Sequence, residues 1–386
     1  MPRSTPPPYE GFEQGPIRPP SEADSLLIRV TRNCPWNRCT FCPVYKGTRF
    51  SLRPVEHVKR DIDQVAEAVA AIQEAADSQR SVSREAVNRL YARFPGDASD
   101  ALTAALHWAA GGFRFIFLQD ANSLILPPAQ LVDILEHLRR RFPWPLRITS
   151  YARSHTVARI GQDDLEAIRR AGLDRIHIGM ESGCDEVLAR VRKGTTREQH
   201  ILAGQKAKAA GMELSEYVMP GLGGQDLSER HALDTADALN RINPDFIRLR
   251  TLAMRRGIPL VEEWEAGRFV KLTDVAAARE IRTLIASLEG ITSNVASDHI
   301  LNLFQEIEGR LPGDRPAMLA VLDRFFALPP AEQTLYQVGR RMGILSRLDQ
   351  LENDGRRRQV EDVCHRYEIT ADNVDEVITE MMRRFV

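Results

Sequence analysis

Three cysteines fall within nine residues, in Cys34-Pro-Trp-Asn-Arg-Cys39-Thr-Phe-Cys42. Thiolates select zinc, copper(I) or iron–sulfur clusters, so this loop has the chemistry of a soft-metal site. Three sulfurs are one ligand short of a closed four-coordinate site. Either a distant side chain supplies the fourth, or one position stays open to something other than protein. His57 or His177 would complete a structural Cys3His zinc site. The C-x4-C-x2-C spacing is also that of plant-type ferredoxins, and Cys184 is the next cysteine downstream.

Other chemistry-bearing residues recur just after apolar runs: Gln119, Asp120 and Asn122, then Ser150 and Arg153, then Glu181 and Ser182, then Met219 and Gly221. The elements that must position them alternate. Leu26–Val30 reads as a buried strand, and Val55, Val58, Ile62, Val65, Val69 and Ile72 step by three and four along a helix entered at Pro54. Strands follow at 113–118, 146–149, 175–178, 214–218 and 246–250. Helices fall at 130–141, 163–171, 196–210 and 228–240 between them. Six strands each followed by helical sequence imply an α/β fold with a parallel sheet, a partial (β/α)6 TIM-like barrel. In such folds the site lies at the carboxyl ends of the strands, where all these polar turns sit.

The expected organisation is a Pro-rich arm over 1–24, the barrel over 25–260 with a helical insertion at about 77–112, and a mostly helical C-terminal domain over 261–386. The arm carries Pro6, Pro7, Pro8, Pro16, Pro19 and Pro20, and a disordered tail is one reading of residues 1–15. Ile291–Ala296 reads as a last strand, and Thr273 as the cap of a helix through Leu288. Asp298 and His299 follow that strand, as a substrate acid–base pair or as a helix cap. Cys184 and Cys364 read as packed thiols.

Composition is that of a soluble globular protein, 43% hydrophobic and 27% charged with a net charge of −1. No global basic signature of a nucleic-acid binder is present, and no apolar stretch reaches the length of a membrane span. An odd number of cysteines, three of them crowded together, argues against a disulfide framework and for a reducing compartment, here the cytoplasm.

The cysteine loop after a first strand, with Phe41 just before its last cysteine, resembles the radical S-adenosylmethionine superfamily. Ile176-His-Ile-Gly-Met-Glu-Ser-Gly183, continuing through Asp185–Leu188 to Arg192-Lys-Gly194, is similar to the fourth-strand segment of the branch holding the methylthiotransferases and oxygen-independent coproporphyrinogen oxidase. The resemblance covers about residues 24–260. One departure is the loop itself, whose first spacing is x4 where the superfamily commonly has x3; the subfamily stays unassigned.

The resemblance implies a 4Fe–4S cluster on Cys34, Cys39 and Cys42, with its open iron chelated by S-adenosylmethionine. Reductive cleavage would then release a 5′-deoxyadenosyl radical that abstracts hydrogen from a substrate. Phe41 would pack near the adenine. Gln119, Asp120 and Asn122 would accept from the methionine ammonium, Asp120 foremost. Glu181 and Ser182 would reach the ribose. Lys193 stands where relatives often carry an arginine for the methionine carboxylate. Val218, Met219 and Gly221 would line the adenine, while Ser150 and Arg153 carry looser roles at the same edge. An electron donor such as flavodoxin or ferredoxin is implied, with a small-molecule substrate; a tRNA or protein modifier is the rival within the class. The rival outside it is a non-catalytic module stabilised by zinc or an iron–sulfur centre.

Overall fold

The computed structural model describes residues 8–77 and 81–385. Residues 1–7 of the Pro-rich arm, 78–80 of the insertion and Val386 lie outside the described residues. The chain divides into two compact units. The first comprises residues 1–35, 47–177 and 206–213, and the second residues 36–46, 178–205 and 214–386. The division falls inside the cysteine loop and inside a strand.

In the first unit β1 (Leu26–Arg29) pairs in parallel with β4 (Phe115–Gln119), and β4 with β5 (Arg147–Ala152). Register runs from Leu26 opposite Ile116 to Arg29 opposite Gln119. Strand β6 (Leu173–Glu181) follows β5 in the sheet order, and its first five residues belong to this unit. A separate antiparallel pair, β2 (Thr31–Arg32) with β3 (Ser51–Leu52), ties off both ends of the loop that contains the cysteines. Helix α1 (Val55–Ala75) buries Val58, Ile62, Val65, Val69 and Ile72, the stripe read from the sequence. Each such fully buried aliphatic contributes about 1.5–3 kcal/mol. Helices α2 (Arg84–Arg93) and α3 (Ala98–Ala110) form the insertion, and Trp108 of α3 packs edge-on against Phe113 and Phe142. Then come α4 (Pro128–Arg141), the single turn α5 (Ser154–Val157) and α6 (Gln162–Ala171), which stops at Gly172 with φ 120°.

The second unit takes the end of β6, then α7 (Asp185–Arg190) and most of α8 (Arg197–Ala209). Strand β7 (Glu213–Val218) pairs in parallel with β8 (Phe246–Leu249), and β8 with β9 (Asn294–Ala296). Antiparallel β10 (Gly309–Arg310) closes that edge. Helix α9 (Gly224–Ile242) lies between β7 and β8 in sequence, and α10 (Pro259–Glu265) and α11 (Asp274–Ala286) between β8 and β9. Thr273 caps α11 by accepting from Ala276 N–H at 3.1 Å, as expected. The remainder is helical: α12 (Arg315–Ala327), α13 (Pro330–Arg341), α14 (Asp354–Arg366) and α15 (Val374–Phe385). Strands alternating with helices, paired in parallel in both units, are the α/β architecture expected from the sequence. Among the described residues no helix is long and apolar enough to cross a membrane.

Candidate functional site

In the second unit, the loop segment 36–46 is held against the turn that follows β6. Thr40 N–H donates to Val191 O at 3.0 Å, and Leu260 N–H donates to Thr40 O at 3.1 Å. Trp36 Nε1 donates to Arg192 O at 2.7 Å, and the indole packs on Gly194, where any Cβ would stand 2.4 Å from the ring. Lys46 Nζ caps the carbonyls of Asn37 and Cys39. Cys39 and Phe41 are buried with Cys184, Val187, Leu222, Leu252 and Met254, and Cys42 and Met219 pack against that cluster.

Three residues expected to contact S-adenosylmethionine meet here. Lys193 Nζ lies 3.0 Å from Glu181 Oε1 and 5.7 Å from the centre of the Phe41 ring. Glu181 holds a left-handed backbone, φ 65°, at the strand's end, which aims its side chain at Lys193. Neighbouring Gly179 lies against this pair: a Cβ there would stand 2.3 Å from Glu181 Oε1 and 3.1 Å from Lys193 Nζ, so those side-chain ends would have to shift.

Ser182 is placed differently. Its hydroxyl is fully buried, bonds His231 Nδ1 at 2.8 Å and accepts from Cys184 N–H at 3.0 Å. His231 Nε2 reaches Met219 O at 3.1 Å, and Glu280 accepts from Gly221 N–H and Ser228 Oγ, each at 2.6 Å. Ser182, His231 and Glu280 together fix the turn 219–221. Val218 lines a small recess with His231, Ala232, Ile281 and Leu284, on the side of α9 and α11. His231 and Glu280 escaped the sequence reading because their partners lie 49 and 59 residues away. Glu216 also escaped it. It is fully buried, neither carboxylate oxygen has a partner among the described residues, and burial pushes its carboxyl well up, against the charge of Lys193.

In the first unit Asp120 is buried and already engaged. Its Oδ2 accepts from Arg29 Nε at 2.9 Å, Arg29 Nη2 at 2.6 Å and Asn33 N–H at 2.8 Å. Oδ1 has no hydrogen-bond partner among the described residues, and a Cβ on Gly15 would stand 1.9 Å from it. Burial raises the Asp120 carboxyl above its usual range, with Asn33 and Arg29 pulling the other way. Gln119 Nε2 donates to Gly15 O and Ile17 O, and its Oε1 accepts from Gly15 N–H at 2.8 Å. Gly15 and Ile17 of the Pro-rich arm are therefore seated on the end of β4. Glu13 extends the anchorage to Arg29, Arg32 and Arg53, and the Tyr9 hydroxyl donates to Asp61 at 2.8 Å.

Asn122 accepts from Arg153 N–H at 3.1 Å and donates to Thr156 Oγ1 at 2.9 Å, holding the turn into α5. Ser150 donates to Leu118 O at 3.1 Å. The alternative zinc ligands have other company: His57 packs edge-on against Tyr9, and His177 faces Glu22 at 3.4 Å.

The five cysteines form no disulfide; Cys39 is buried, and Cys34 and Cys42 are half-buried. The donor set on the loop therefore fits a thiolate-ligated iron–sulfur cluster or another soft metal. Among the described residues no three His, Cys, Asp or Glu side chains stand ready-made around a metal position.

Residues 85–236 match the family described as the Radical SAM superfamily, a span that begins downstream of the cysteine loop. The chain is 26% identical over 201 residues to 4'-phospho-dehydrooxetanocin synthase of Priestia megaterium, covering 49% of this chain and 22% of that protein. It is 24% identical over 110 residues to tRNA uridine(34) acetyltransferase of Methanocaldococcus jannaschii, covering 28% of this chain and 20% of that protein. The chain thus spans about a fifth of the length of these curated relatives. Among solved structures, coproporphyrinogen III oxidase from Escherichia coli aligns at TM-score 0.43 and 16% identity, over 68% of this chain and 52% of that one.

Proposed function

We propose, from the premise that this chain carries a radical SAM domain, that it is an enzyme whose Cys34, Cys39 and Cys42 hold a 4Fe–4S cluster beside a site for S-adenosylmethionine. When bound, the cluster supplies one electron for reductive cleavage of a carbon–sulfur bond of the sulfonium. The observation that carries the reading is the grouping of Phe41, Lys193 and Glu181 against the loop of Cys39 and Cys42.

Lys193 and Glu181 hold each other in the free chain. With S-adenosylmethionine present, Lys193 exchanges Glu181 for the methionine carboxylate, and Glu181 accepts from the ribose hydroxyls. Each charge keeps a charge-assisted partner throughout. Phe41 and Met219 form the apolar wall for the adenine and keep water from the reacting bond. Ser182 serves by positioning Glu181 and Met219 through His231.

The substrate of this reading is a small molecule, with a flavodoxin- or ferredoxin-like reductant. The curated match that covers most of this chain among those described above is to a protein named 4'-phospho-dehydrooxetanocin synthase, a small-molecule name. A tRNA substrate is the second reading, favoured by the match to a tRNA acetyltransferase. The test is anaerobic reconstitution with iron and sulfide, reduction with dithionite and addition of S-adenosylmethionine. The reading predicts 5′-deoxyadenosine that disappears in Cys39→Ala. An intact cluster that yields none, or a colourless zinc protein, overturns it.

A further inference from the structure

Beyond the residues assigned to S-adenosylmethionine, the second unit gathers a separate set at the carboxyl ends of β8 and β9. Arg250 follows β8, and its backbone N–H donates to Val218 O at 2.9 Å, one strand away from the end of β7. Its guanidinium stacks 4.7 Å from the centre of the buried Tyr217 ring. Among the described residues it has no carboxylate partner. Neighbouring Arg248 differs, being paired with Asp298.

His299 follows β9 and accepts through its backbone carbonyl from Asn302 N–H at 3.0 Å. Its Nδ1 accepts from Leu301 N–H at 3.3 Å, so in the neutral ring the proton sits on Nε2, which is then a donor. Burial first, and then the charge of Arg250, lower its pKa to about 4, with Asp298 opposing. The imidazole is therefore a neutral donor at physiological pH.

The pair is built rather than incidental. Fully buried Asn302 donates to Leu249 O at 2.8 Å and to Ser297 Oγ at 2.9 Å, and accepts from Thr251 N–H at 2.9 Å and Thr251 Oγ1 at 3.0 Å. One side chain thus pins the turn that carries His299 to the strand end that carries Arg250. From α13, Arg340 Nη2 donates to Asn302 O at 3.0 Å and Arg341 Nη1 to Leu301 O at 2.7 Å, fixing the turn from behind. A cation with no carboxylate partner among the described residues, lying over a ring at the strand end to which the turn of a neutral N–H donor is pinned, is the complement of an oxyanion. Arg presents a planar fork suited to carboxylate or phosphate, and stacking leaves little of its freedom to be lost on binding.

We propose that Arg250 and His299 form an oxyanion site that takes the carboxylate or phosphate group of the substrate, at the strand end next to that of β7. This assignment rests on the enzymatic reading above for the word substrate, but not for the anion.

The test uses the full chain with histidines isotopically labelled, and His299→Asn to identify the His299 signal. Sodium phosphate and sodium acetate are titrated separately at constant ionic strength near pH 6.5. The expected result is a saturable shift of the His299 resonance, together with an upward shift of its pKa as the anion offsets the charge of Arg250. Response to phosphate alone assigns a phosphoryl group, and response to acetate alone a carboxylate. Arg250→Gln abolishes the response and itself raises the His299 pKa. Arg250→Lys, which keeps the charge and the fold, retains a weakened response. A resonance that follows neither anion, or that follows one equally in Arg250→Gln, overturns the assignment. Anion binding without 5′-deoxyadenosine formation refutes the enzymatic reading alone; the reverse outcome refutes this one alone.

Discussion

Replacing Lys193 by Met isolates the part of the second unit on which the proposed S-adenosylmethionine contacts depend. Lys193 Nζ and Glu181 Oε1 are 3.0 Å apart, and each side chain is only 12% exposed. Exposed ion pairs contribute about 0–1 kcal/mol, whereas removing one partner of a buried pair costs about 3–5 kcal/mol. Lys193→Met strands the Glu181 carboxylate and removes a cation lying over Phe41. With a little solvent still reaching the pair, we expect a loss of about 2–3 kcal/mol in denaturant unfolding. Adding Glu181→Gln removes the stranded charge, so the double variant should regain most of that stability. Binding should not follow. Both variants lack the cation meant for the methionine carboxylate, and equilibrium dialysis of the reconstituted protein should show S-adenosylmethionine affinity about tenfold weaker or worse, a difference of about 1.4 kcal/mol. A double variant that recovers affinity along with stability would show the pair to be structural and the role given to Lys193 wrong.

Other consequences can be checked alongside. Gly183→Ala forces a Cβ to within 2.4 Å of Asp234 O and 2.7 Å of Thr235 Cα. Both are backbone atoms of α9, so the midpoint of unfolding should fall by about 1–3 kcal/mol equivalent, and an unchanged midpoint would contradict the close approach. For Glu22, burial pushes the carboxyl up, but His177, Ser25 and Arg147 outweigh it and hold it below its usual range. A carboxylate depressed in the folded state stabilises above its unfolded pKa and loses that effect as pH falls through the folded value. The stability gap between the parent and Glu22→Gln should therefore be open at neutral pH and close on acidification; a gap independent of pH would refute it. Glu13→Gln removes a carboxylate shared by Arg29, Arg32 and Arg53, and should speed proteolysis within residues 8–18, with no change in rate counting against the anchored arm.

The elements were legible because their signals are local. The stripe from Val55 to Ile72 and the alternation of apolar runs with glycine stops need only neighbours in sequence to be read. Thr273 named its own helix, since a cap acts three residues ahead. What stayed hidden depends on partners far along the chain. Nothing near Pro16 announces that Gly15 and Ile17 saturate Gln119 more than a hundred residues away. Asn122 and Ser182 have the residue types of ligand contacts, and their bonds to Arg153, Thr156 and His231 could not be read from the sequence. Reading 214–218 as a strand placed Val218 at its end but could not say that it lies on the side of α9 and α11. The grouping of Glu181, Lys193 and Phe41 was foreseen as three separate contacts with one ligand; their contact with each other was not.

The central claim is a cluster held by three sulfurs with one iron left for a small molecule. Mössbauer spectroscopy of the chain reconstituted with iron-57, recorded with and without S-adenosylmethionine, addresses it most directly. The account predicts a four-iron cluster in which one site alone changes when S-adenosylmethionine is added, and which fails to assemble in Cys34→Ala, Cys39→Ala or Cys42→Ala. Four iron sites indifferent to S-adenosylmethionine, or a cluster that assembles without one of these cysteines, would contradict it.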